Sequence, residues 1–154
     1  MPVTNVDSKW ESGALNFRNN SGESILKIAA EALTFGKGTT FTQYDAVATS
    51  DGLTTGTIPD GATFVSVTSA SANNIVVLPT PTPGTLVVVH VGANGCELRS
   101  SAPATVAING GTGASAESAI GANVTAFLFC VTATSWKGWQ SGADGTLALV
   151  EAAA

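Results

Sequence analysis

Charge is what this sequence has least of. Asp, Glu, Lys and Arg make up only 11% of its 154 residues, under half the usual share of about a quarter. Six basic residues stand against eleven acidic ones, for a formal net charge of −5. Such a chain has no electrostatic footprint for nucleic acid or an anionic membrane surface. Long apolar runs are missing too. Runs such as Ile75 to Leu78, Leu86 to Val89 and Ala126 to Val131 fall far short of the roughly 18 residues that a membrane helix needs. There is one histidine, and the two cysteines, Cys96 and Cys130, sit in neither a Cys-x-x-Cys pair nor a metal-ligand spacing. They permit at most one disulfide, and in a cytoplasmically made protein both are expected as reduced thiols. Apolar residues are not scarce: they make up 44% of the chain, which excludes a disordered, solvating tail. At this length one domain is the default.

The opening residues Met1 to Asp7 lack the basic and apolar regions of a signal peptide, and no lipidation motif is present. Asn19-Asn20-Ser21 and Asn123-Val124-Thr125 match the glycosylation pattern, and without a secretion signal both are read as chance.

What is present is a β pattern. From Gly61 through Cys96 there is no Asp, Glu, Lys or Arg at all. Within that stretch Phe64 to Thr68 alternates, Ser69 to Asn74 is a polar turn, and Ile75 to Leu78 runs apolar. Pro79 to Gly84 must be a loop, because alternate prolines remove ladder donors and fix φ. Leu86 to Val91 follows, stopped by Gly92-Ala93-Asn94-Gly95, and Asn-Gly is the strongest short hairpin signal. Further strands are expected at Cys96 to Arg99, Thr105 to Ile108, Val124 to Val131 and Thr146 to Val150. Several of them read apolar on both faces, so each side is expected to meet protein rather than water. Turn residues about every 8–12 positions point to an all-β fold, a single β-sandwich or barrel-like domain of jelly-roll type. That domain is expected over residues 51–154.

Residues 1–50 read differently, as an N-terminal arm or hairpin. Lys9, Arg18, Lys27 and Lys37 place most of the basic charge here. Gly13 to Arg18 and Ile25 to Ile28, around the turn Asn19 to Gly22, form a hairpin in which Leu15 and Phe17 face Leu26 and Ile28. The competing reading is a short helix from Ser24 to Leu33, since Ile25, Ile28, Ala29, Ala32 and Leu33 fall at helical spacing. Strand is favoured for Ile25 to Ile28, and Ala29 to Leu33 stays open. Trp10, Leu15, Phe17, Phe35 and Phe41 are a heavy apolar load for so short a stretch. They pack either on the β core or, as an arm, on a neighbouring chain.

Chemistry is thin. His90 lies mid-strand, where a lone histidine is usually a satisfied core or interface residue. No Gly-x-Ser-x-Gly elbow is present. Asn109 to Ser115 is glycine-rich but lacks the lysine and strand–loop–helix context of a phosphate cradle, and reads as a wide β-turn. The acidic residues form no calcium loop. Carboxylates that meet only in space, as in glycosidases, stay open. Trp136 and Trp139 are the one pair able to form a sugar-stacking platform, although at i and i+3 in a strand the rings need not share a face.

Leu78 to Gly84, Glu97 to Ser101, Thr105 to Gly111, Glu117 to Ile120 and Thr134-Ser135-Trp136 together resemble small structural proteins of tailed bacteriophages. The capsid decoration, or cement, protein is the type they resemble most. Ser8-Lys9-Trp10, Gly13 to Phe17 and Gly22 to Ile28 are similar to the opening segment of such virion proteins. The resemblance implies a non-enzymatic, cofactor-free homotrimer made in the host cytoplasm. It implies binding to the major capsid protein on the capsid exterior, at three-fold or quasi-three-fold junctions, with no nucleic acid or membrane partner. The family supplies no functional-residue motif. The expected subunit or capsid contacts are Trp10, Leu15, Phe17, Ile25, Leu26, Ile28 and Phe35. The alternative is a head-fibre or tail-fibre module that grips host glycans through Trp136 and Trp139. A third reading, an enzyme or other soluble domain, would place an acidic pair or His90 in a pocket.

Overall fold

Period-two alternation of β-branched and polar residues yields strands throughout, and the computed structural model contains no α-helix among its described residues, which are 7–11, 14–18, 21, 24–29, 32–35, 43–142 and 145–154. The chain divides into two units, Met1–Thr40 and Phe41–Ala154. The boundary falls about ten residues earlier than the composition suggested, because Gln43–Val47 is a strand of the larger unit.

The first unit is an antiparallel sheet of four strands in sequential order: β1 (Asp7–Glu11), β2 (Ala14–Arg18), β3 (Ser24–Ala29) and β4 (Ala32–Phe35). Its register pairs Leu15 with Ile28 and Phe17 with Leu26, the expected hairpin. Ile28 pairs with Leu33 and Leu26 with Phe35, so Ala29, Ala32 and Leu33 of the open stretch lie in strands rather than a helix; residues 30 and 31 lie outside the described residues. Neighbouring strands on both sides of β3 satisfy its backbone, which outweighs the modest helix preference of its alanines.

The second unit is a sandwich of two sheets. The large one contains β5 (Gln43–Val47), β6 (Phe64–Thr68), β8 (Leu86–Val91), β10 (Ala107–Ile108), β12 (Thr125–Thr132), β13 (Ser135–Ser141) and β14 (Leu147–Leu149). Its order is β10-β13-β12-β8-β6-β5, with β14 also on β13. The small sheet is β11 (Ser118–Ile120), β9 (Cys96–Arg99) and β7 (Ile75–Val77). Val65, Val67, Val87, Val89, Leu128 and Trp136 from the large sheet meet Val76, Leu98 and Ile120 from the small one in a single core. Fully burying each such aliphatic side chain is worth about 1.5–3 kcal/mol.

The chain alternates between sheets. β6 and β8 are parallel neighbours, and so are β7 and β9. Parallel strands need a crossover connection, and here each crossover is a strand of the opposite sheet. The Asn94-Gly95 turn therefore does not close a hairpin, contrary to its sequence signal: it carries the chain from β8 in the large sheet to β9 in the small one. Its conformation is still the one the residues demand, with Gly95 at φ +67° and a Cβ there 2.8 Å from the Ile120 carbonyl oxygen. Asn94 Nδ2 donates to the Ser69 carbonyl (2.8 Å), tying this turn to the one after β6. Pro79 to Gly84 is a loop, as expected.

Two devices close the sandwich. Asn109, at φ 51°, donates through Nδ2 to the carbonyls of Gly138 (2.9 Å) and Val150 (2.6 Å). Its Oδ1 accepts the Gly138 N–H at 3.0 Å. Residues 151–154 then strap one sheet to the other: Ala153 N–H donates to Ile108 in β10 (3.1 Å), and Ala154 exchanges hydrogen bonds with Glu117 beside β11 (3.2 and 3.3 Å).

Candidate interaction surface

The two outer faces of the sandwich differ. On the small sheet, the loop between β5 and β6 folds back over β7: Thr49 and Thr57 make isolated bridges to Ile75 and Val77. Gly52 is pressed so close that a Cβ there would lie 2.7 Å from Val77 Cγ2 and 2.8 Å from Ile75 Cγ2. Arg99 adds an ion pair with Glu117 and a 3.4 Å contact to the Asp51 carbonyl. The Leu53 backbone N–H and the Thr49 hydroxyl hold the Asp51 carboxyl below its ordinary range. Glu97 is pushed up, first by partial burial and then by the Glu117 and Glu151 carboxylates. Beside this face, Leu53, Ile58, Pro59, Asp60, Pro79 and Ser101 help line an open groove of about 440 Å³.

The large sheet has no such cover among the described residues of its unit. Alternation sends Val65, Val87, Leu128 and Trp136 inward and their neighbours outward. Strand register aligns the outward residues Gln43, Phe64, Val88, Phe127, Trp139 and Leu149 in one row across six strands. A second row holds Leu86, Phe129 and Lys137. Phe127 and Trp139 are each 41% exposed and Leu149 63%. Of the ten large hydrophobic side chains exposed among the described residues, all but Leu53 lie on this face. Asp45 on β5 and Lys137 on β13 are the charged residues in these strands that point outward with them.

His90 lies at the centre of this face, its Nδ1 3.1 Å from Thr125 Oγ1. The register places Ser66 between Asp45 and His90. The acid is thus two strands away, about 9–10 Å, and cannot orient the imidazole as a Ser-His-Asp relay requires. Gln43, Phe64, Ser66, Val88 and His90 surround a dip of about 260 Å³. Among the described residues no group of three or more His, Cys, Asp or Glu is placed to hold a metal ion.

The tryptophans separate. Trp136 is fully buried between the sheets, whereas Trp139 points outward. Three residues apart in a strand put two rings on opposite faces, so they form no common stacking platform, and Trp136 makes no surface contact. In the first unit, Leu15 and Phe17 are half-buried on either side of the buried Asn16. Trp10 pairs with Leu15 in the ladder, and Leu26 with both Phe17 and Phe35. The side chains of Trp10, Ile25, Leu26, Ile28 and Phe35 lie outside the described residues. Residues of the apolar sheet face other than Trp139 were not singled out from sequence as contacts, yet their signal was available in strands that read apolar on both sides. No protein-family model, curated protein or solved structure matches this chain.

Proposed function

We propose that this chain is a structural virion protein that binds the outer surface of a tailed-phage capsid as a homotrimer and cements capsomer junctions. One observation carries the reading: a small, weakly charged chain has a β-sandwich with an apolar sheet face that the described residues of its unit leave uncovered, and a second unit that is a four-stranded N-terminal sheet. Two distinct surfaces suit a protein that must grip its own copies and also something else. A trimer matches the symmetry of a three-fold junction, so three equal contacts form at once. Each contact need be only modest, because linking them raises the effective concentration of the second and third. The major capsid protein is the partner, and the capsid exterior of the virion is the location.

The test is to mix purified protein with undecorated heads and measure bound copies per capsomer junction. Saturable binding at three copies per junction is expected. Deleting residues 1–20, which removes β1 and β2, is expected to abolish head binding. Unchanged binding and oligomeric state after that deletion would remove the N-terminal unit from the contact. No binding by the full chain would end the reading.

A further inference from the structure

We infer that the outer face of the large sheet is the contact between copies of this chain, with the aromatic ridge on β12 and β13 of one copy seated in the dip on β5, β6 and β8 of the next. This rests on the reading above only for the number of copies. The face is built of two unlike halves. Phe127, Phe129 and Trp139 stand out from β12 and β13, with Leu149 beside them on β14. Gln43, Phe64, Ser66, Val88 and His90 surround the dip of about 260 Å³ in the other half, room for an aromatic ring but not for a strand. Seating the ridge of each copy in the dip of the next gives a head-to-tail contact, which closes into a ring when the rotation allows.

Charge fits the same pairing. Asp45 lies on the half with the dip and Lys137 on the half with the ridge. Docking one half on the other therefore brings an acid toward a base and places no like charges together.

Size sets the class of contact. Four aromatic side chains that are about two-fifths exposed carry roughly 60–100 Å² each. Five exposed aliphatic ones bring the apolar area of the face to about 600 Å² per copy, of which a head-to-tail contact uses one half from each partner, about 300 Å². A standard interface buries about 800 Å² per partner, a little over half of it apolar, so each contact is a small one that ring closure reinforces. Aromatic enrichment and charge depletion are also the composition of an interface core. The strands explain the face from the sequence side: Leu86 to Val91 and Phe127 to Val131 are apolar at both parities, as strands covered on both sides are.

The experiment uses the full chain and two variants made to fail in different halves. Ser66→Trp fills the dip, and Phe127→Asp puts a charge on the ridge. Wild type is expected to sediment at a multiple of its 15.4 kDa mass. Each variant is expected at one-fold mass, with wild-type far-UV circular dichroism and a cooperative melt. Mixed together, they are expected to form a 1:1 pair, since each supplies the half the other lacks. Leu53→Asp, exposed but off this face, serves as the control that stays assembled. Monomeric wild type, variants that stay assembled, or variants that fail to pair would each overturn the inference. Should one variant not fold, Trp139→Asp or Gln43→Trp replaces it in the same half. Head binding is scored separately. Assembly through this face without head binding sinks the capsid reading alone, and head binding by a monomeric chain sinks this inference alone.

Discussion

Replacing Asn109 with alanine should destabilise the β-sandwich more than any other single polar truncation on its surface loops. Its side chain makes three hydrogen bonds to backbone groups: the carbonyls of Gly138 and Val150 and the N–H of Gly138. Gly138 and Val150 are both buried, so water does not replace the lost partner freely. The Val150 carbonyl and the Gly138 N–H lose their partner, whereas the Gly138 carbonyl keeps the Val150 N–H at 3.0 Å, and each buried polar group left unpaired costs about 1–3 kcal/mol. Alanine must also adopt the left-handed conformation that Asn109 holds at φ 51°, at a further cost of about 1–2 kcal/mol. A total of about 3–8 kcal/mol is a large share of the 5–15 kcal/mol by which domains are stable. It should lower Tm by at least about 10 °C. Urea titration followed by tryptophan fluorescence reads it directly, since buried Trp136 reports the core. Asn109→Gly separates the two contributions, because glycine takes the positive φ without strain and still lacks the side chain. It should retain most of the loss. Asn109→Asp should be no better than alanine at pH 7, because a carboxylate would face two carbonyl oxygens. A loss below about 1 kcal/mol for both Asn109→Ala and Asn109→Asp would show that the side chain is solvated rather than bridging.

Gly111→Ala should release the strap formed by residues 151–154, because its Cβ would overlap the Ala153 carbonyl oxygen. A loss of about 2–4 kcal/mol, as for other backbone-level clashes, and faster carboxypeptidase trimming are expected; unchanged trimming would contradict the strap. Stability should fall as pH rises above 9. Burial, with a smaller push from Glu97, raises the Cys96 thiol to about 12 from an ordinary value of 9.0. The unfolded chain thus ionises first, and stability present below pH 9 is lost progressively up to pH 12, by about 4 kcal/mol at about 1.4 kcal/mol per unit. Urea midpoints from pH 8 to 10.5 should decline for wild type and flatten in Cys96→Ala. Equal slopes would mean that the thiol is not the cause.

Strand formation was legible wherever neighbouring residues set it. Cys96–Arg99 was read to the residue, and the Leu15–Ile28 and Phe17–Leu26 pairs followed from alternation about a turn. β13 was harder: Trp136, Lys137, Gly138 and Trp139 carry no uninterrupted β signal. Gly138 is there because a Cβ would lie 2.8 Å from Leu128 Cδ2 and 3.2 Å from Val150 Cγ2, a constraint that exists only once β12 and β14 flank it. Asn109 likewise looked like one more turn residue, since its partners lie 29 and 41 positions away.

The sequence by itself determined that the protein is all-β, thinly charged and built of strands apolar on both faces, because period-two alternation and turn chemistry act over a few residues. Only the tertiary structure decided which sheet each strand joins. Asn94-Gly95 has the same local geometry whether the next strand pairs with the last or crosses to the other sheet, and long-range packing made it cross. The same packing covered the small sheet with its own loop and left the large one bare among the described residues. It thereby turned scattered exposed residues on β5, β6, β8, β12, β13 and β14 into a single apolar face.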